Sequence, residues 1–135
     1  MIKYAAAYGG TAIVLLALDA IWLTLASKPV YRAQVGPLLL ENPNLAIAGL
    51  FYLFYAVGLT VFCVMPSVAS KSWIMAAGLG ALLGFVAYGT YDITNLATLK
   101  GWTVTVSLID LAWGTLVSAI AATAGHIVVR TAFAE

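Results

Sequence analysis

The chain has 135 residues and a mass of 14.2 kDa, with 64% hydrophobic and only 8% charged residues and a mean hydropathy of +1.04. Water-soluble domains average about 45–50% apolar and about 25% charged residues, so this is an integral membrane protein, and at about 20 apolar residues per span it holds four or five helices at most. That leaves no room for a soluble catalytic domain or nucleotide-binding fold; the net charge of +1 gives no nucleic-acid partner, and a single cysteine, Cys63, no intrachain disulfide.

The apolar pattern predicts an all-α polytopic bundle of four transmembrane helices in up-down-up-down order, one domain over 1–135, with spans at about 4–27, 44–65, 72–95 and 104–129. The first runs from Tyr4 to Ser27 and is expected to stop at Lys28-Pro29. Lys3, the apolar run and Thr24-Leu25-Ala26 resemble a cleaved signal, but Asp19 and Trp22 interrupt the run, so it reads as a retained helix. The second opens after Asn42-Pro43 and is expected to close at Pro66. The third follows Lys71, and the fourth follows Lys100-Gly101 and ends before Arg130.

Four spans put both termini on one side. That side carries Lys3, Lys71 and Arg130, the other Lys28, Arg32 and Lys100, so the positive-inside count ties. The short N-terminal tail leans the termini toward the cytoplasm.

Three of the five acids, Asp19, Asp92 and Asp110, fall within or at the edge of spans. A carboxylate at the bilayer centre costs about 2.5–3.5 kcal/mol on insertion scales, which makes it a functional-site hypothesis; the plainer alternative is an acid that glues helices. With alternating spans, all three lie in the same membrane half. Asp19 and Asp110 are about 10 Å inside the boundary at 1.5 Å per residue, and Asp92 is nearer the surface.

Helix 1 reads Asp19-Ala-Ile-Trp22-Leu-Thr-Leu and helix 4 reads Asp110-Leu-Ala-Trp113-Gly-Thr-Leu, both D-x-x-W-x-T-L. Asp and Trp at i, i+3 share a face, which sets an indole N–H beside a carboxylate. In helix 3, Tyr88, Tyr91, Asp92 and Asn95 form a polar stripe at i, i+3, i+4, i+7, and Ala76, Gly80 and Gly84 form a small-residue packing ridge on the same side. Helix 2 adds Tyr52 and Tyr55 as donors to the carboxylates, while Phe51 and Phe54 suit the interfacial belt. His126 lies about 24 Å along helix 4 from Asp110 and is expected at the opposite interface; Cys63 is expected to be a small buried hydrophobe. Tyr91-Asp92 matches half of an intramembrane aspartyl protease pattern, but Gly-x-Gly-Asp is missing. No H-E-x-x-H, G-x-S-x-G or P-loop occurs.

The run Tyr88-Gly-Thr-Tyr-Asp-Ile-Thr-Asn-Leu-Ala-Thr-Leu-Lys-Gly-Trp102, with Asp110-Leu-Ala-Trp-Gly-Thr115, resembles the signature of a family of small bacterial membrane proteins catalogued as a domain of unknown function. Asp19-x-x-Trp22 and the Phe51 to Tyr55 block resemble its earlier segments. The resemblance implies a multi-pass protein of the bacterial inner membrane with about four helices, and it carries no activity.

Converging in low dielectric, three carboxylates cannot all ionise. A hard divalent cation held by Asp19, Asp92, Asp110 and the Asn95 carbonyl relieves this, oxygen ligands favouring Mg, Ca or Mn. Apart from such a cation no cofactor is evident. The expected site is thus Asp19, Asp92, Asp110, Asn95, Tyr88, Tyr91, Trp22, Trp113, Tyr52 and Tyr55, taking a small ligand, a cation or a lipid head group. An enzyme acting on a lipid or isoprenoid head group through these phenols and carboxylates is a variant of this reading. A proton-coupled transporter of the dimeric multidrug-exporter type is one alternative, with Asp19 placed like the exporters' helix 1 acid. A non-catalytic accessory or assembly subunit is the other. Membrane lipid is the expected partner, with a homo-oligomer or larger membrane complex as a further option. The connection from Lys28 to Pro43 is long enough to cap the site with Tyr31 and Arg32.

Overall fold

A computed structural model describes residues 1–134, and these form helices joined by short connections, with no strand among them. Four helices are long and apolar enough to cross a membrane: α1 (Ile2–Leu38), α2 (Leu45–Ala69), α3 (Trp73–Thr98) and α4 (Val104–Ala132). The connections are short, so consecutive helices run antiparallel. Helix starts are fixed by side-chain caps: Asn44 accepts from the Ile47 N–H, Ser72 from Met75 and Thr103 from Val106, each at 3.1 Å. Gly101, at φ 81°, turns the chain between α3 and α4.

Two prolines read as helix stops are not stops. α1 is α-helical over Ile2–Ala26, passes through a π-helical segment at Ser27–Arg32 that contains Pro29, and ends in short turns at Leu38. In α2 a π-helical segment, Thr60–Val64, immediately precedes Met65-Pro66, and the helix continues to Ala69. Proline removes one N–H and crowds the carbonyl four residues back. A wider π turn shifts the hydrogen bonding by one residue and opens space beside that carbonyl, so the helix carries on. As a result Tyr31 and Val35 belong to the end of α1 rather than to a loose connection. Val35 is 1% exposed there, in a turn that packs on α4. Arg32 donates to its own connection, including the Glu41 carbonyl at 3.3 Å, instead of capping the site.

α4 is the central element, touching the other three helices. Its inward stripe is built of small residues: Gly114, Ser118, Ala121, Ala122 and Gly125 are all buried. The expected ridge on α3 meets this stripe. A methyl group at Gly80 would lie 2.6 Å from the Ser118 carbonyl, and one at Gly84 would lie 2.7 Å from the Ser118 hydroxyl. In lipid, where apolar burial between helices gives little drive, such close backbone approach is what holds helices together. The outward faces carry Ile13, Phe51, Phe54, Ile74, Leu82 and Leu108, all more than half exposed and suited to acyl chains. Phe51 and Phe54 thus face outward as expected, and Cys63 is buried at 1% exposure.

Hydroxyls in the spans are satisfied locally. Thr11, Thr24, Thr60, Thr90, Thr115 and Thr123 each donate to the carbonyl four residues back. His126 lies toward the end of the bundle opposite the acids, beside Ser67 and Arg130, and its side chain turns inward. It is 4% exposed, and its Nδ1 lies 2.8 Å from the Ser67 hydroxyl, which also bonds the Val64 carbonyl. The rotation of α4 decides this: His126 lies on the small-residue stripe that faces α2.

Candidate functional site

The two D-x-x-W copies meet at the α1–α4 contact. Trp22 and Trp113 stack with centroids 4.6 Å apart and planes 7° from parallel. Each tryptophan then serves the aspartate of the other helix. The Trp113 indole donates to Asp19 Oδ1 at 3.2 Å. The Trp22 indole donates to the Tyr31 hydroxyl at 2.9 Å, and Tyr31 in turn donates to Asp110 Oδ1 at 2.5 Å. The spacing suggested an indole beside a carboxylate; the pairing is between helices, because antiparallel packing brings each indole level with the opposite acid. Tyr31 is the group that completes the relay, and it arrives only because α1 runs on past Pro29.

The tyrosines divide between two tasks. The Tyr52 phenol lies beside both Asp19 and Tyr88. Tyr55 was expected to serve a carboxylate, but its hydroxyl pairs with Ser118 at 2.7 Å and its ring meets Tyr88 edge-on at 6.3 Å. The Tyr88 ring fills the space where Gly114 has no side chain. Tyr91 sits at the rim, 55% exposed, edge-on to Trp102 at 5.7 Å and beside Asn95.

Asp92, placed nearest the surface by its sequence position, is fully buried at 0% exposure. Among the described residues no N–H or hydroxyl reaches either of its carboxylate oxygens. Its electrostatic neighbour is Asp110. Ser107 does not help, since its hydroxyl is directed to the backbone carbonyls of Thr103 and Asp92 while accepting from the Trp102 indole at 3.0 Å. Asp110 interacts with both Asp19 and Asp92. Among the described residues no three His, Cys, Asp or Glu side chains are grouped to hold a metal ion.

All ten expected site residues lie in this half of the bundle. Tyr31, Trp102, Ser107 and Ser118 join them. Tyr31 was anticipated as part of a cap; Ser118 was detectable as the next member, at i+4, of the α4 small-residue stripe. No cation appears among the groups acting on Asp19, Asp92 and Tyr31, which are indoles, phenols and carboxylates. The Tyr31–Asp110 distance falls in the range of a hydroxyl-to-carboxylate bond. A second charge on Asp92 beside Asp110 needs either a shared proton or a bound cation.

No curated protein and no solved structure matches this sequence. The family described as predicted membrane protein (DUF2177) matches residues 4–127, nearly the whole chain. With its four spans and the motif blocks described above, the chain belongs to that family of membrane proteins of unknown function.

Proposed function

We propose that the acid and aromatic half of the bundle binds a cationic group, presented by an amine-bearing lipid head group or by a small organic cation. The observation that carries this is Asp92: fully buried, reached by no N–H or hydroxyl among the described residues, and paired only with a second acid, Asp110, with no cation among its neighbours. Burying such a group unpaired costs several kcal/mol, on the order of that for any buried unpaired ion. A ligand cation offsets that cost. Stacked indoles and phenols at the same level add ring faces that attract ammonium groups, worth about 0.5–2 kcal/mol each. Within this reading the protein resides in a bacterial inner membrane with both termini cytoplasmic.

The test is thermal stability in a neutral maltoside detergent. Phosphatidylethanolamine or tetraphenylphosphonium is expected to raise the melting temperature of the wild type; a ligand at about 100 times its Kd adds about 2.7 kcal/mol. Asp92→Asn is expected to abolish the rise. No shift with either cation, or an equal shift in Asp92→Asn, overturns the reading. A shift with Mg2+ alone turns it to an inorganic cation on Asp19, Asp92, Asp110 and Asn95.

A second reading has its own support. Asp19, Trp22, Tyr31, Trp113 and one oxygen of Asp110 satisfy one another across α1 and α4, which is what an accessory subunit needs to hold its shape. Retention of cellular phenotype by all three Asp→Asn variants would favour it.

A further inference from the structure

The opposite end of the bundle carries a cavity of about 150 Å³ unconnected with the acids. Its polar wall comes from three separate elements: Lys3 near the start of α1, Lys71 in the α2–α3 turn and Arg130 in the last turn of α4. Its apolar floor is Val68, Val129 and Phe133, and none of its described lining residues is acidic. The volume accommodates several waters, hence a tetrahedral anion.

Lys71 supplies an independent argument. The Ser72 N–H bonds the Ser67 carbonyl and the Lys71 N–H bonds the Val68 carbonyl, the paired bonds of a Schellman turn closing α2. Lys71 occupies the left-handed position of that turn, at φ 52°, where glycine is the residue without steric cost. The chain thus accepts backbone strain to keep a cationic side chain on the cavity wall, and strain of this kind concentrates at binding positions.

We infer that this cavity is a binding site for a phosphate-bearing anion, filled in the membrane by the head group of an anionic phospholipid. A basic pocket between helix ends at a membrane face, floored by apolar side chains that meet the acyl region, has the form such head groups require. Arg130 gives a planar fork for two phosphate oxygens, and Lys71 a point charge.

The experiment uses the full chain in neutral maltoside micelles and reads the melting temperature together with lipid adducts by native mass spectrometry. Phosphatidylglycerol is expected to stabilise the wild type and phosphatidylcholine to leave it unchanged. Lys71→Gly relieves the strained turn, so this variant folds at least as well as the wild type. Lys71→Gly and Arg130→Gln are each expected to weaken phosphatidylglycerol binding about fivefold, and the double variant to lose the stabilisation. Lys100→Gln, at the far end, keeps it. Stabilisation by inorganic phosphate, lost in the same double variant, supports the anion site and identifies a free ion as its source. Equal effects of phosphatidylcholine and phosphatidylglycerol, or undiminished binding in Lys71→Gly/Arg130→Gln, overturn the inference.

Discussion

The two D-x-x-W-x-T-L copies share four residue types and differ in what surrounds them. In α1, Asp19 is 5% exposed and takes its hydrogen bond directly from an indole, and the residue after the tryptophan, Leu23, is 45% exposed on the outer face. In α4, Asp110 is half-buried, takes its bond through Tyr31, and the corresponding residue is Gly114, buried beneath the Tyr88 ring. The α1 copy ties α1 to α2 and α4, with Asp19 held between the Tyr52 phenol and the Trp113 indole. The α4 copy ties α4 to α1 and α3 and faces the second acid, Asp92. A shared motif therefore gives one locking acid and one acid on the open side of the site, and the difference lies in the neighbours rather than in the motif.

The largest test of that contrast is at the position after each tryptophan. A methyl group at Gly114 would fall inside the Tyr88 ring, so Gly114→Ala must displace Tyr88 from Tyr52 and Tyr55. The expected loss is about 3 kcal/mol, the upper part of the overpacking range, read as reduced unfolding free energy in detergent. Leu23→Ala, facing lipid, is expected to cost well under about 1 kcal/mol, because lipid solvates a leucine as well as protein does. Equal losses at the two positions would remove the asymmetry.

Next in size are the donors. Tyr31→Phe strips Asp110 of its hydrogen bond and leaves the Trp22 indole unpaired; bonds to charged groups are worth about 1.5–3 kcal/mol, so a loss of about 2 kcal/mol is expected. Trp113→Phe keeps a ring against Trp22 but removes the donor to Asp19, at about 1–2 kcal/mol. A double-mutant cycle of Tyr31→Phe with Asp110→Asn should return a coupling of about 1 kcal/mol or more. Additive effects would mean that Tyr31 and Asp110 do not depend on one another.

Asp92→Asn reverses the sign. Among the described residues no N–H or hydroxyl reaches Asp92 and its carboxyl faces Asp110, so the variant relieves the opposition of two acids and offers Asp110 an amide N–H in place of a shared proton. The melting temperature without ligand is expected to hold or rise, while Asp19→Asn lowers it. A fall as large as that of Asp19→Asn would place Asp92 among the locking residues and withdraw its claim to a ligand.

How far these arrangements were legible differs by residue. Four spans, the shared membrane half of the acids and the Gly80–Gly84 ridge follow from composition and period, since in lipid the helix is the only open choice and small residues mark its contacts. The continuation of α1 and α2 past Pro29 and Pro66 was not legible, because a proline is read as a stop unless a π turn is known to make room for it. Pairing between rather than within the motif copies depends on the rotation of α1 against α4, which neither helix encodes alone. The inward turn of His126 was hidden for the same reason: its depth could be counted, but its direction came from the α4 stripe. For Asp92, depth along the chain indicated a surface position, and only packing by its neighbours buries it.

The smallest expected effect bears on how much of the echo has meaning. Thr24 and Thr115, the matched threonines, each donate to the carbonyl four residues back in their own helix. The matched leucines, Leu25 and Leu116, are both more than half exposed toward lipid. These four positions make no contact that distinguishes one copy from the other, and such back-bonding slightly bends a helix rather than stabilising it. Thr24→Val and Thr115→Val are therefore each expected to change stability by less than about 0.5 kcal/mol, the ordinary range for sites away from special features. Two near-zero values would restrict the functional part of the repeat to its aspartate and tryptophan. A loss at Thr115 alone would instead extend the three-helix role of the α4 copy by one residue beyond Gly114.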